Sequence, residues 1–149
     1  MIHATMTKFG YPETAIAEYP LWCVLLRPAQ ATLGALVLVA KSEAKAFAEL
    51  DAAAFLELGR VVRDTETALK AFRRHDRINY LMLMMVDPHV HFHVLPRYSA
   101  DQSFADATFV DAGWPGVPDL RQAPKLTPKA FATLLDSLKS SWPRNEKSL

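Results

Sequence analysis

The sequence predicts an α+β fold, an antiparallel sheet of about five strands with a long helix on one face and a second helix at the C terminus. Two apolar runs, residues 21–27 and 34–40, have the length and hydrophobicity of buried strands. Between Phe55 and Phe72 apolar residues recur every three or four positions, as on one stripe of a helix. Over residues 89–94 histidines alternate with apolar residues, which is the period of a strand.

Composition predicts one globular domain over residues 1–149. Half of the residues are hydrophobic, and a net charge of +1 gives no field that would attract nucleic acid, so no specific nucleic-acid partner is expected. The single cysteine, Cys23, excludes a disulfide framework and a CxxC zinc site and predicts a buried structural thiol. No leader-like segment and no apolar run of ~18 residues is visible, so we expect a cytoplasmic protein without a membrane partner.

The N-terminal part predicts an antiparallel hairpin after a weakly patterned start. Residues 1–20 show little periodicity and are compatible with a short helix around residues 13–18. The run 21–27 ends at Pro28, and after a connection the run 34–40 follows as the second strand.

The middle of the chain predicts the long helix and a third strand. Charged residues occupy the faces that the apolar stripe between Phe55 and Phe72 leaves open, so this helix is expected to cover the sheet. The charged segment 73–77 is interpreted as a solvated connection with His75 on the surface. Residues 78–86 follow as a strand whose methionines are expected to fill the core.

The C-terminal part predicts a long loop and a helix. Residues 98–126 have no regular pattern, and their aromatic side chains indicate packing over the site or against a partner. Thr127 and Pro128 are an N-cap and a first-turn proline, which predict a helix over residues 127–141. The polar tail 143–149 is expected to fray.

Three of the five histidines, His89, His91 and His93, would lie on one face of a single strand. Three neutral imidazoles suit a catalytic zinc, but the Cα atoms at the two ends of the triplet would lie ~13 Å apart, so both ends could hardly bind one ion unless the strand bends. Structural histidines bonded to backbone carbonyls are a second interpretation. The third, which we prefer, is catalysis at phosphorus: the central imidazole attacks and its neighbours orient it or bind phosphate oxygens.

Residues 89–95, His-Val-His-Phe-His-Val-Leu, resemble the signature of the histidine triad (HIT) superfamily of nucleotide hydrolases and transferases. Residues 96–97, Pro-Arg, continue it as in many members, and the resemblance extends over about residues 22–98. It implies a HIT-like fold with a core at about residues 20–98, and a homodimer.

The resemblance also implies roles for the histidines. His91 would attack the α-phosphate of a nucleotide and carry the nucleotidyl group until water removes it. Its other ring nitrogen would be held by a hydrogen bond, commonly to a backbone carbonyl. His89 and His93 would contact phosphate oxygens or position the nucleophile. No metal or other cofactor is implied, because N–H donors and imidazoles can stabilise the charge that develops on phosphate.

Two positions depart from the family pattern. Many members have a histidine after the glycine that opens the second strand, where this chain has Ala35, and an Asn or Asp for the ribose hydroxyls where it has Arg27. Arg27 is thus either a phosphate ligand or a solvent-facing residue. Asn79 and Arg97 are further candidates for nucleotide or phosphate binding. His93, where the transferases have Gln, favours hydrolysis.

We therefore expect a hydrolase that cleaves a nucleoside phosphoanhydride or phosphoramidate, for example a dinucleoside polyphosphate or an adenylated amine. The departures at Ala35 and Arg27 also permit a nucleotide-binding interaction module with little turnover. A zinc hydrolase with histidine ligands is the less favoured alternative. The base and the leaving group are not marked in the sequence, because base pockets consist of ordinary apolar side chains.

Overall fold

The fold centres on a five-stranded antiparallel sheet. The computed structural model describes residues 2–143. In chain order the strands are β1 (Ala15–Glu18), β2 (Trp22–Leu26), β3 (Leu36–Ala40), β4 (Arg77–Leu81) and β5 (His91–Arg97). Across the sheet their order is β1-β2-β3-β5-β4, and every neighbouring pair is antiparallel. The predicted α+β class and five-stranded sheet are confirmed.

Helices cover both faces of this sheet. The long helix α2 (Ala52–Phe72) and the C-terminal helix α3 (Pro128–Ser141) lie on one face, and the short helix α1 (Ala4–Lys8) lies on the other. At the start of α3 the Thr127 side chain accepts a hydrogen bond from the Ala130 N–H at 3.0 Å, and Pro128 occupies the first turn. Both features of the predicted helix start are confirmed.

The buried stripe of α2 is rotated slightly from the predicted one. Its buried residues are Ala54, Val61, Thr65, Ala68 and Leu69. Phe55, predicted to face the sheet, is 41% exposed and rests against Phe47 with the ring centroids 5.2 Å apart. Ala54 and Ala68 are small, so the helix can lie close to the sheet. Leu58 and Phe72 pack against the same core and are partly buried.

Strands β2 and β3 are buried on both faces, which explains why their sequences are continuous apolar runs. The face under α2 and α3, here called the helix-side core, includes Trp22, Val24, Leu36 and Leu38. The opposite face, here called the histidine-side core, consists of Met6, Phe9, Cys23, Leu25, Val37 and Val39. Cys23 is buried as predicted, and burial raises the pKa of its thiol to about 12.

The predicted helix around residues 13–18 is wrong. Residues Ala15–Glu18 form the edge strand β1, and the helical segment of the N terminus lies earlier, in α1, with His3 as its N-cap. Pairing of β1 with the apolar strand β2 supplies a ladder of hydrogen bonds, and this tertiary contact outweighs a weak local preference for helix.

The predicted strand over residues 78–86 is too long. β4 ends at Leu81, and residues 82–90 connect it to β5, because β5 begins only at His91 and leaves those residues no partner. Met85 in this connection is 85% exposed, so its prediction as a core residue is wrong.

Part of the unpatterned segment 98–126 is a small hairpin. Strands β6 (Gln102–Phe104) and β7 (Ala107–Phe109) are joined by Ala105 and Asp106, whose φ angles of 48° and 62° are those of a tight hairpin turn. Such turns usually carry Asn or Gly, and the pair Ala-Asp gave no signal for one. The predicted tail 143–149 lies outside the described residues from position 144 onwards. Among residues 2–143, no helix combines the length and hydrophobicity needed to cross a membrane.

Candidate active site

The histidines lie on the face of the sheet that α1 covers. His91 and His93 belong to β5 and stand opposite Val39 and Val37 of β3, two members of the histidine-side core. His89 precedes β5, so the predicted alternation within one strand holds for two of the three residues. The three residues are 5%, 0% and 5% exposed in chain order. The sheet therefore supports a buried imidazole cluster rather than an open surface.

His91 is oriented by the backbone. Its Nδ1 lies 2.7 Å from the carbonyl oxygen of His89, which is the kind of contact expected for this ring. Because a carbonyl oxygen only accepts, Nδ1 carries the proton, and Nε2 of the neutral ring holds a lone pair. That Nε2 is buried and has no hydrogen-bond partner among the described residues. The attacking atom proposed from the sequence is thus unprotonated and unoccupied.

His93 is held by Arg27. The Arg27 Nε donates to Nδ1 of His93 at 3.2 Å, and because Nδ1 accepts, the proton of the neutral ring lies on Nε2. Burial, and then the positive charge of Arg27, lower the pKa of His93 to about 4. The His93 ring meets that of His91 edge-on with the centroids 5.2 Å apart. With both rings neutral, the cluster therefore pairs a lone pair on His91 with an N–H donor on His93.

His89 is held by the N-terminal segment. The Thr5 hydroxyl oxygen accepts from the His89 backbone N–H at 3.4 Å and lies 2.9 Å from Nδ1 of the same residue. Because the Glu43 carboxylate on the other side of the ring only accepts, Nδ1 accepts from the Thr5 hydroxyl and the proton of the neutral ring lies on Nε2. That nitrogen lies 3.4 Å from the carboxylate of Glu43. The His89 ring is therefore occupied by protein groups, and its carbonyl is the part that contacts His91.

A fourth histidine completes the support of the triad. The His3 ring stacks on that of His89 with the centroids 3.9 Å apart and the planes 8° from parallel. Nε2 of His3 donates to the Ala40 carbonyl at 2.7 Å, and Nδ1 accepts from the Met6 N–H at 3.3 Å. Burial lowers the pKa of His3, so this ring is a neutral wall of the site.

Helix α1 covers the histidines on the side that faces away from the sheet. Phe9, at its C-terminal end, lies 5.7 Å from the His91 ring and 5.5 Å from the His93 ring between centroids. Lys8 pairs with Asp87, in the connection before the triad, at 3.2 Å. Sequence reasoning missed the roles of this segment, because Thr5 and His89 are 84 positions apart and residues 1–20 carry no recognisable pattern.

Arg27 and Ala35 share one end of the site. The Arg27 backbone N–H donates to the Ala35 carbonyl at 3.0 Å, so the two departures from the family pattern are neighbours across β2 and β3. Ala35 brings no polar side chain, whereas the Arg27 guanidinium reaches His93. Arg27 is part-buried and its side chain donates to His93, so it does not simply face solvent.

Asn79 and Arg97 lie farther along the same face, away from His91. Arg97 is 3% exposed and forms a two-pronged ion pair with Asp111 at 2.6 and 2.9 Å. Its remaining donor bonds the Asn79 side-chain oxygen at 2.7 Å. Both residues line one cavity, and the Arg97 guanidinium is already occupied by protein acceptors.

Within residues 2–143, no three His, Cys, Asp or Glu side chains are arranged to hold one metal ion. The contacts explain this arrangement. Nδ1 of His91 faces a carbonyl, Nδ1 of His93 faces Arg27, and the ring nitrogens of His89 face Thr5 and Glu43.

No protein-family model and no curated protein matches the sequence. Solved structures do match. A histidine triad protein from Sinorhizobium meliloti 1021 has a TM-score of 0.73 at 19% identity, over 95% of this chain and 96% of that one. Histidine triad proteins from Bradyrhizobium japonicum and Marinobacter aquaeolei VT8 have TM-scores of 0.69 and 0.67, each at 19% identity over 95% of this chain, and are themselves covered to 97% and 95%. The chain has the histidine triad fold, as predicted.

Proposed function

We propose that this chain is a nucleotide hydrolase that works through a nucleotidyl intermediate on His91. The observation that carries the proposal is Nε2 of His91, a buried lone pair without a partner among the described residues, in a ring fixed by the His89 carbonyl. Leaving such an atom unbonded costs roughly 1–3 kcal/mol, so its persistence favours a ligand that completes it. The substrates that fit are nucleoside phosphoanhydrides and phosphoramidates.

The reaction has two displacements at phosphorus. Nε2 of His91 attacks the α-phosphorus and forms a nitrogen–phosphorus bond, while the bond to the leaving group breaks and its electron pair departs with that group. A phosphate group leaves as an anion, and an amine takes a proton from water. A water molecule then attacks the same phosphorus, the electrons of the nitrogen–phosphorus bond return to Nε2, and the proton of that water passes to solvent.

His93 and Arg27 are proposed to stabilise negative charge on the phosphoryl oxygens. Nε2–H of His93 is a donor beside the nucleophile, and it costs no reorientation during the reaction because Arg27 already fixes the ring. Arg27 also donates from Nη1 to the Ala29 carbonyl at 2.6 Å. None of the ion pairs among the described residues includes Arg27, so a substrate phosphate would be its counterion.

His89 is proposed to position the nucleophile through its carbonyl. The bond to Nδ1 of His91 selects the tautomer with a free Nε2, and Thr5 and His3 keep the carbonyl in place by holding the ring. Asn79 and Arg97 are proposed to contribute to nucleotide binding at greater distance, Asn79 directly and Arg97 by fixing the neighbouring loop.

We also propose a homodimer in the cytoplasm, with a nucleotide as the small-molecule partner. β4 is an outer strand of the sheet, and within residues 2–143 its other edge is unpaired, so a second copy can extend the sheet there. The connection that follows β4 exposes Leu83, Met85 and Val86 at 47%, 85% and 85%. Light scattering on the purified protein would measure the assembly.

The function is tested with a panel of dinucleoside polyphosphates, nucleoside phosphoramidates and adenylated amines. His91→Ala should lose turnover by at least roughly a thousandfold, since the nucleophile is absent, while circular dichroism stays that of the wild type. His75→Ala, which removes a histidine on the charged connection, is the matched control and should keep wild-type rates.

Trapping the intermediate separates an enzyme from a binding module. Alkaline quenching during turnover, followed by mass spectrometry, should find a nucleotidyl adduct on the peptide that contains His91. Wild-type rates in His91→Ala would show that the mechanism is wrong. Tight nucleotide binding without turnover or adduct would instead identify the chain as a nucleotide-binding interaction module.

A further inference from the structure

A cavity of about 580 Å³ lies between β4 and the segment 114–118. Its size is that of a small-molecule site. Its lining includes Asp76, Arg77, Asn79, Leu81, Arg97 and Trp114.

The cavity lies on the same face of the sheet as the histidines. Leu81, in its wall, is the residue of β4 that pairs with His93 of β5. Directly paired residues of antiparallel strands have their Cα atoms about 5 Å apart, so the near end of the cavity is one strand away from His93. Arg97, at the far end, is four residues further along β5, which is ~13 Å of strand. A group attached to a phosphorus beside His93 therefore lies about one strand away from this cavity.

The wall of the cavity is fixed by buried bonds. Asp111 binds Arg97 with both carboxylate oxygens, and the side chains of the pair are 2% and 4% exposed respectively. The Asp111 carbonyl accepts from the Trp114 N–H at 3.1 Å, and the Arg97 guanidinium lies 6.0 Å from the Trp114 ring centroid. A Cβ on Gly113 would lie 2.0 Å from the Val117 carbonyl oxygen, so the segment turns as tightly as glycine allows. The Trp114 ring is thus held as one side of the cavity.

The lining chemistry suits an aromatic base with an attached phosphate. The Trp114 ring offers a stacking surface, and the Asn79 side-chain nitrogen is free to donate, since its oxygen is the atom that accepts from Arg97. Arg77 is exposed, and its guanidinium donates to the Asp76 carbonyl at 2.8 Å through Nη1, which leaves further guanidinium donors for an anion. Asp76 also lines the cavity, but its carboxylate accepts from the Ser99 N–H and hydroxyl at 2.9 and 3.2 Å. Arg97 is neutralised by Asp111, so Arg77 is the lining cation that no ion pair among the described residues includes.

We infer that this cavity is the leaving-group subsite and that it takes the second nucleoside phosphate of a dinucleoside polyphosphate. Trp114 stacks on the base, Asn79 donates to it, and Arg77 binds a phosphate of the departing group. The inference rests on the proposed function and selects among its substrates, since an adenylated amine with a small leaving group would leave the cavity empty.

The test measures kcat/KM for a dinucleoside polyphosphate and for a nucleoside phosphoramidate with a small amine, and takes their ratio. Base–aromatic stacking contributes ~1–3 kcal/mol, so Trp114→Ala should lower this ratio roughly tenfold or more, and Trp114→Phe should restore much of it. Arg77 is exposed, so Arg77→Gln should lower the ratio while circular dichroism stays that of the wild type. Leu56→Ala, at an 84% exposed position of α2, is the control and should leave the ratio unchanged.

Measurements of binding distinguish a failure of this inference from a failure of the proposed function. The wild type should bind a non-hydrolysable dinucleoside polyphosphate more tightly than a mononucleotide, and Trp114→Ala should abolish that preference. If no substrate is cleaved but the preference is present, the hydrolase proposal fails and the subsite stands. An unchanged ratio and an unchanged binding preference in folded Trp114→Ala and Arg77→Gln would overturn the subsite. So would an equal loss on both substrates together with a change from dimer to monomer, which would make the segment a contact between two copies.

Discussion

The Nε of Arg27 donates a hydrogen bond to Nδ1 of His93 at 3.2 Å, across 66 positions of sequence. This contact joins a residue that departs from the family pattern to the last histidine of the triad. It fixes which nitrogen of His93 carries the proton, and it places a positive charge beside a ring that burial already keeps neutral. Arg27 therefore acts on the proton distribution of the site, whichever substrate is bound.

Replacing Arg27 with methionine should raise the pKa of His93 above about 4, because the neighbouring positive charge is removed. The pKa should stay below the ordinary value, since burial, the larger cause, remains. An NMR titration of the ring would measure this change, and the ¹⁵N shifts would show whether the proton still lies on Nε2. His75, outside the cluster, supplies an internal reference that should not move. An identical His93 titration in both proteins would mean that Arg27 does not control this ring.

Stability should fall as the pH is lowered from about 6.5 to about 4. In this range His93 stays neutral in the folded chain, whereas the same residue becomes protonated in the unfolded chain. The unfolded state then binds more protons, so the free energy of unfolding decreases with falling pH, by up to about 1.4 kcal/mol per pH unit from this one group. The lowered pKa of His3 acts in the same direction.

Urea unfolding of the wild type and His93→Gln at several pH values between 4 and 7 would measure that dependence. The variant has no titrating group at this position, so its curve should be flatter. Parallel curves for the two proteins would show that His93 titrates alike in the folded and unfolded chains.

The order of helices and strands could be predicted because most of them have a local pattern of apolar residues or a local cap. Patterns within a few neighbouring residues predict β2, β3 and α2, and they predict the cap at Thr127. The structure has all four features. β1 was missed, since four residues of mixed character become a strand only through their partner.

The site could be predicted only in part. Alternation placed His91 and His93 on one face, but no local pattern shows that the His89 ring packs against His3 and Thr5 from the other end of the chain. The same holds for Asp111, which no motif marks and which binds Arg97 from within an unpatterned segment. Such contacts depend on how distant elements pack, and sequence spacing carries no information about that.

Asp111→Asn should destabilise the fold by roughly 3–5 kcal/mol, because it leaves the Arg97 charge buried without a counterion. Asp119→Asn is the matched control. It removes the carboxylate of an ion pair whose arginine, Arg121, is 90% exposed, and it should leave the unfolding midpoint close to that of the wild type. Denaturant unfolding followed by tryptophan fluorescence would measure both variants. Equal small losses would mean that the buried pair is not needed to hold the segment that carries Trp114.

Thr5→Val should slow turnover, although Thr5 is not expected to touch the substrate. The change keeps the shape of the side chain but removes the hydroxyl that donates to Nδ1 of His89 and accepts from its backbone N–H. An unsatisfied buried group costs roughly 1–3 kcal/mol, and if the His89 carbonyl shifts in response, kcat should fall on the order of tenfold while KM changes little.

Thr7→Val, on the exposed side of α1, is the matched control. It removes only a long hydrogen bond, 3.5 Å, from the Thr7 hydroxyl to the His3 carbonyl and leaves the His3 ring bonds in place, so it should keep wild-type kcat. The ring ¹⁵N shifts of His89 distinguish positioning from general destabilisation, since loss of the Thr5 hydroxyl should redistribute the ring proton between Nδ1 and Nε2. If Thr5→Val leaves both kcat and the His89 shifts unchanged, the N-terminal segment covers the triad without orienting it. His91 would then depend on the backbone of the connection before β5 alone.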